Sequence, residues 1–295
     1  MNSDTIGWAA EMACLLEVSA DKPGNVTRRN DFNDSDFEDF IISAAAIGPA
    51  FRCAVDSTVG ETILRAIKDT RRFVGVNTNL GIVLMLAPLA KAAGLVGFDA
   101  LRPALGSVLK GLSVNDAHLA YEAIRLANPG GIGTVKQHDA KERDVSITLY
   151  EAMDLARDRD SLAREYVTDF KITFEIGLTA FMEALAKGAD ISNAIVQTFL
   201  SILAQVPDTL IARKKGEDTA IDISRKASRI LKYGGIFSPK GRGEISRFDL
   251  ALRDKKHTLN PGTTADLVAS VLFIYLVEND LPPLTFTSRT LCLDR

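Results

Sequence analysis

Apolar residues in this chain recur every three to four positions, in segment after segment, and almost nowhere in alternation. That spacing lays an apolar stripe along a helix; it cannot give a strand one buried face. Residues 5–18 carry Ile6, Ala9, Ala10, Ala13 and Leu16 on one stripe. Residues 60–73 turn Ile63, Leu64 and Ile67 inward and Arg65, Lys68, Arg71 and Arg72 outward. The same spacing predicts helices over 37–48, 82–93, 115–127, 148–156, 160–187, 191–206, 219–233, 244–253 and 267–277, roughly ten in all with 94–111 read as a loop and a short helix. Only Leu284-Thr285-Phe286-Thr287 alternates, and it reads as an edge strand. So little strand is extreme against ordinary proteins. The expectation is an all-α, single-domain bundle over 1–295, with a core of about 5–277 and a tail over 278–295. No fixed-period repeat indicates a solenoid.

Helix punctuation is clear at several points. Ser35 with Glu38, and Thr148 with Glu151, have capping-box spacing. Pro49 ends or kinks the second helix. Asn128-Pro129-Gly130-Gly131 opens a loop that runs through His138 to the charged run Lys141–Asp144, read as a mobile lid or an interdomain connection. Ser238-Pro239-Lys240-Gly241-Arg242-Gly243 also reads as a loop.

At 46% hydrophobic, the chain has ample material for a core. A net charge of −3, from 35 basic and 38 acidic residues, argues against nucleic acid and against a membrane surface. Cys14, Cys53 and Cys292 are scattered and odd in number, and the three histidines are dispersed; neither a disulfide framework nor a zinc spacing results. A reducing cytoplasm fits best. The N-terminal residues lack the basic and apolar segments of a signal peptide. The longest apolar run, 82–90, is too short to span a bilayer. Oligomerisation stays open.

The stretch Gly75-Val76-Asn77-Thr78-Asn79-Leu80-Gly81 leads directly into an apolar helix. Small polar residues between glycines suit a tight turn, and the unpaired N–H groups at the helix start favour a phosphate or carboxylate. Three more loops share its grammar of Gly or Pro, an amide or acid, then a helix: 22–25, 207–216 and 260–266. Drawn to one end of a bundle, these loops would line a cleft. Candidate phosphate or ribose ligands are Lys22, Asn25, Arg28, Arg29, Asn77, Thr78, Asn79, Arg213 and Lys214. Asp208 and Asp266 each adjoin a turn and suit magnesium, which takes one or two carboxylates plus substrate phosphates. Either also suits a catalytic base, with Glu61 and the Asp158/Asp160 pair as weaker candidates. As plain structure, Asp208 is an N-cap and Asp266 a first-turn acid. Neither a Walker A loop nor a Rossmann fingerprint is present in context.

The ordered set Lys22-Pro23-Gly24, Gly75-Val76-Asn77-Thr78, Pro207-Asp208-Thr209 and Pro261-Gly262-Thr263-Thr264-Ala265-Asp266 resembles the triphosphoribosyl-dephospho-CoA synthase family, with helices between the motifs over about 5–277. The resemblance implies an all-α transferase that uses ATP, and magnesium. Adenine leaves, and the triphosphoribosyl unit moves to a hydroxyl of 3′-dephospho-CoA, a cofactor precursor. Breaking a ribosyl C–N bond builds oxocarbenium character, which carboxylates stabilise, and the acceptor hydroxyl wants a base. Two departures mark a divergent branch. Lyase-associated members carry His-Lys where this chain has Asn79-Leu80, and Gly-Gly-Ser where it has Gly262-Thr263-Thr264. A second reading is ribosyl-phosphate transfer to a methanopterin-type pterin. A third, a non-enzymatic helical nucleotide-binding protein, predicts basic residues without convergent acids.

Overall fold

Two helices form the centre of the molecule because their sequences are apolar on every side. α4 (Leu80–Leu95) and α14 (Gly262–Glu278) bury almost their whole length, the arrangement expected of a helix without a polar face. The computed structural model describes residues 1–96, 100–129 and 145–286. Around the central pair stand α1 (Ser3–Ser19), α2 (Phe37–Arg52), α3 (Val59–Arg71), α5 (Leu101–Lys110), α6 (Val114–Ala127), α7 (Leu149–Ala156), α8 (Ser161–Val167), α9 (Thr179–Ala186), α10 (Ile191–Gln205), α11 (Thr209–Lys215), α12 (Glu217–Lys232) and α13 (Pro239–Leu252). α14 packs against α1, α4, α8, α10 and α11, and α4 against α1, α3, α5, α6 and α8. Phe51, Phe181, Phe199 and Phe273 are fully buried in one connected apolar core; each such ring contributes about 1.5–3 kcal/mol.

The all-α expectation holds. Among the described residues there is no strand, only an isolated bridge between Thr27 and Asn30. The expected edge strand at 284–287 is absent over its described part: residues 284–286 have no neighbouring strand, and Thr285 O accepts one bond, from Ile191 N, at 3.3 Å. Among the described residues, no single helix is long and apolar enough to cross a membrane. The expected lid, with His138, lies outside the described residues, as does Cys292.

Other differences have local causes. The second helix takes its capping box from Asp36 and Asp39, one residue beyond Ser35 and Glu38. Pro49 sits inside that helix, which runs on to Arg52. The 238–243 stretch is helical: Ser238 caps it by accepting from Gly241 N, and Pro239 occupies the first turn, where its missing N–H costs nothing. The helix expected over 160–187 is broken. The chain turns through Asp169 (φ 50°) and Phe170 (φ 56°), then continues as a π-helical turn (Ile172–Leu178) and α9. Glu165, fully buried, starts that second piece: its two carboxylate oxygens accept from Ile172 N and Thr173 N, each at 2.8 Å. A glutamate seven residues upstream thus does the work of an N-cap, which local sequence spacing does not encode.

Candidate active site

The turn before α4 is fixed from both sides. Asn77 Oδ1 accepts from Leu80 N at 3.2 Å, and the Thr78 and Ser43 hydroxyls meet at 2.6 Å. Asn79 points inward, donating to Thr70 Oγ1 at 3.2 Å and to Ser43 O at 3.4 Å. Arg71 reaches back to the Gly75 carbonyl. Asn77 and Thr78 therefore face a cleft of about 1250 Å³, while Asn79 anchors the turn from below.

The other loops arrive at the same cleft. At 22–25, Gly24 has φ +76°, a conformation suited to glycine. Its N–H donates to Asp249 Oδ1 at 2.8 Å, and Arg253 spans Asp249 and the Asn25 carbonyl at 2.7 and 3.0 Å. This binds the loop to α13 and leaves Asn25 on the cleft wall. The starts of α8, α11 and α14 are tied by hydroxyls: Ser161 N donates to Thr209 Oγ1 at 3.3 Å, which donates to Thr263 Oγ1 at 3.2 Å.

Asp208 supplies the strongest of these ties. One carboxylate oxygen caps α11 through Leu210 N and Ile211 N, at 2.9 and 3.1 Å. The other accepts from Thr264 N and Thr264 Oγ1, at 2.7 and 2.8 Å. Asp208 is buried and does not line the cleft. Its expected place as a metal ligand or base differs from what the geometry offers, since all four acceptor positions are used. Burial pushes its carboxyl up, and the Thr264 bonds oppose that shift.

Asp266 is the carboxylate that faces the cleft. It sits in the first turn of α14 against Gly81, in the first turn of α4. Among the described residues its oxygens take no hydrogen bond. Its carboxyl is held well above the usual carboxylate range, first by burial, then by the negative charge of Glu17, Asp208 and Asp160, with Arg213 acting in the opposite sense.

Glu17 was not singled out from the sequence. It is only 4% exposed, lines the cleft, and pairs at 2.9 Å with Lys22 Nζ, which is 0% exposed. Lys22 also donates to the Glu17 carbonyl and, at 3.4 Å, to Ala20 O. Lys22, expected to hold phosphate, is thus committed to Glu17. The signal was a glutamate in the inward register of Ala10 and Ala13, where an apolar residue belongs.

Of the expected cations, Arg213 and Lys214 line the cleft. Arg213 meets Asp160 Oδ2 at 2.6 Å, and Asp160 also caps α8 through Leu162 N at 2.9 Å. Lys214 donates to His257 O at 3.3 Å, and partial burial lowers its pKa. Arg71, Arg159 and Lys256 add positive charge that the sequence reading did not assign to the site. His257 also lines the cleft, stacked on Phe32 at 3.9 Å, with Nε2 accepting from Asn33 N at 3.0 Å. Arg28, Arg29 and Glu61 lie off the cleft lining. Arg28 lies 5.8 Å over the Phe37 ring, Arg29 is 3.8 Å from Asp21, and Glu61 closes a capping box with Thr58. Asp158 is exposed.

Comparison with known proteins matches this arrangement to one family. Residues 3–283 fit the model of the ATP:dephospho-CoA triphosphoribosyl transferase family. The 2-(5''-triphosphoribosyl)-3'-dephosphocoenzyme-A synthase of Pectobacterium atrosepticum is 27% identical over 285 residues, covering 89% of this chain and 86% of that protein. A "Probable 2-(5''-triphosphoribosyl)-3'-dephosphocoenzyme-A synthase" of Malonomonas rubra is 23% identical, covering 93% of this chain and 88% of that protein. A "putative triphosphoribosyl-dephospho-coA synthase" of Archaeoglobus fulgidus, known from its crystal structure, is 31% identical with a TM-score of 0.62, covering 80% of this chain and 97% of the other. The loops that meet at the cleft contain the motifs that carried the sequence resemblance, although 22–24 and 207–209 themselves stand behind the lining, and the match spans all four: the chain belongs to the ATP:dephospho-CoA triphosphoribosyl transferase family.

Proposed function

We propose that this protein transfers the triphosphoribosyl unit of ATP to a hydroxyl of 3′-dephospho-CoA, with loss of adenine. The observation that carries this reading is the meeting of acids and cations at one cleft: Glu17, Asp160 and Asp266 with Arg71, Arg159, Arg213, Lys214 and Lys256. A nucleotide-binding protein without chemistry needs the cations but not the convergent acids.

In the transfer, the ribosyl C1′–N9 bond breaks and a C1′–O bond forms to the acceptor. The acceptor hydroxyl gives up its proton to a base, and adenine takes one as it leaves. Arg213 and Lys214 hold the triphosphate, one as a planar fork and one as a point charge. The α4 N-terminus adds the partial positive charge of its unpaired N–H groups, and Asn77 and Thr78 orient the ribose or a phosphate. Asp266 faces the positive charge that develops at the sugar; approach of a cation also lowers its own pKa and favours the ionised form.

Among the described residues there is no group of three or more metal-ligating side chains. Magnesium held mainly by phosphates needs only one or two carboxylates, and Asp266 has the uncommitted oxygens for it. Bound there, magnesium would supply charge neutralisation for the triphosphate. Asp208 acts from behind, by holding the α14 start in place. The chain's location in a reducing cytoplasm and a single domain over its whole length remain parts of the same proposal.

The test is incubation of the purified protein with ATP, magnesium and 3′-dephospho-CoA, followed by chromatography and mass spectrometry. The expected result is free adenine in equal amount to a triphosphoribosylated acceptor, with neither formed when the acceptor is omitted. ATP binding without adenine release in the full mixture would overturn the proposal.

A further inference from the structure

The cleft is divided by polarity. Its charged lining residues come from α1, α3, α11, α14, the loops beside them and the α7–α8 turn, which gives Arg159 and Asp160; none lies within α6 or α7. Those two helices present Tyr121 and Ile124 on one side and Leu149, Ala152, Met153 and Ala156 on the other. On α7 these fall at i, i+3, i+4 and i+7, so a single helical face supplies the wall. Met153 and Ala152 are half-buried, and Leu155, at the rim, is 58% exposed. The wall thus runs from the interior to the surface along an eight-residue helix, a length of about 12 Å. Asn128, in the left-handed conformation that ends α6, stands on the same lining.

Resting on the activity proposed above, we infer that this α6–α7 wall holds the pantetheine arm of the acceptor, while the charged side of the cleft holds the donor. Apart from the two riboses, whose hydroxyls need polar partners, three parts of the substrates lack fixed charge: the donor adenine, the acceptor adenine and the arm. A purine edge carries ring nitrogens and an amino group that need polar partners when buried. On the α7 side the wall offers Leu149, Ala152, Met153 and Ala156 along two turns of helix, with Tyr121 and Ile124 of α6 beside them. The arm matches it, with methylenes, two methyl groups on one carbon and widely spaced amides, one of which the Asn128 amide can meet. The arm's thiol end takes no part in the transfer, so a groove that opens to solvent suits it. The donor triphosphate has no cationic partner within α6 or α7: of the five cations on the lining, four lie on other elements and Arg159 stands just past the α7 end, donating to Leu155 O at 3.3 Å.

The test compares 3′-dephospho-CoA with ADP, which keeps the adenosine diphosphate portion and lacks the arm. Binding of each to the wild type, Met153→Glu and Leu155→Glu is measured by titration calorimetry, alongside KM for ATP. Expected are at least tenfold weaker binding of 3′-dephospho-CoA by Met153→Glu, unchanged binding of ADP, and a KM for ATP within twofold of wild type. Leu155→Glu, at an exposed position that tolerates charge, should show the same pattern to a smaller degree and guards against a folding defect in the first variant. Equal loss for both ligands, no loss for 3′-dephospho-CoA, or a selective rise in the KM for ATP would each overturn the inference. Calorimetry reads the acceptor's binding even if no adenine is released, so failure of the proposed transfer and failure of this subsite are told apart.

Discussion

The Asp266 carboxylate rests against the bare Cα of Gly81: a methyl group built on that glycine would stand 2.1 Å from Asp266 Oδ2. Two first helical turns, from α4 and α14, therefore approach closely enough to share one carboxylate. The glycine is required here for space, since its helical position places no demand on φ.

Gly81→Ala should leave the fold intact, because all it meets is the Asp266 carboxyl group, which a rotation of that one side chain can turn aside. Alanine is the better helix former by roughly 0.5–1 kcal/mol. The displaced carboxylate should lower kcat at least tenfold, with a thermal midpoint within about 4 °C of wild type. Steady-state adenine release and a melting curve check both; full activity would show that the carboxylate's position is unimportant.

Asp208→Asn should fail differently. An asparagine amide has one acceptor oxygen, so it can serve either the Leu210 and Ile211 N–H pair or the Thr264 pair, but not both. The buried donors left behind should cost about 1–3 kcal/mol. Urea unfolding should show the lowered midpoint together with weaker activity. Lost activity at undiminished stability would instead mark Asp208 as a direct participant, as the sequence reading had it.

Lys22→Met leaves Glu17 as an unpaired buried charge and should destabilise by about 3–5 kcal/mol. The double variant Lys22→Met/Glu17→Leu should recover most of that stability but not activity, since Glu17 faces the cleft. If Lys22→Met were as stable as wild type and bound ATP poorly, Lys22 would be a phosphate ligand after all.

Glu165 links stability to pH. Burial pushes its carboxyl up from 4.5 to about 7, against the bonds from Ile172 and Thr173. The folded state therefore binds this proton more tightly than the unfolded state. The contribution is fully present below about pH 4.5 and is lost as pH rises through about 7, by roughly 3 kcal/mol at most. Unfolding free energy should fall over that window. Glu165→Gln should lower stability at all pH values, because one buried N–H loses its acceptor, and should flatten the slope. A residual slope is expected from Glu278, which burial also pushes up to about 7. An unchanged slope in the variant would contradict this.

The helices were legible because their spacing is local. Thr148 with Glu151 caps α7 as its sequence indicates. The break after α8 was not legible, because Glu165 acts across a reversal of the chain at Asp169 and Phe170. For the site, the four polar loops indicated where helices begin, and the fold brings residues of all four to one lining. Which side chain of each loop points in was another matter. Asn77 and Asn79 are two residues apart in one turn, yet one faces the cleft and the other faces Thr70. Lys22 looked like a free cation because its partner is buried on α1. Arg71 and Arg159 have the pattern of ordinary surface residues, and only the packing of α3 and of the α7–α8 turn beside the cleft gives them a place in it.

Asp266→Asn separates a carboxylate that acts on the reacting sugar from one that only lines the cleft. The substitution keeps the shape and removes a carboxyl whose burial is costly, so the thermal midpoint should not fall. Adenine release from ATP in the presence of magnesium and 3′-dephospho-CoA should drop at least a hundredfold in kcat, about 2.7 kcal/mol of lost transition-state stabilisation. Release within threefold of wild type, from a protein equally stable, would show that the Asp266 carboxylate takes no part in the transfer.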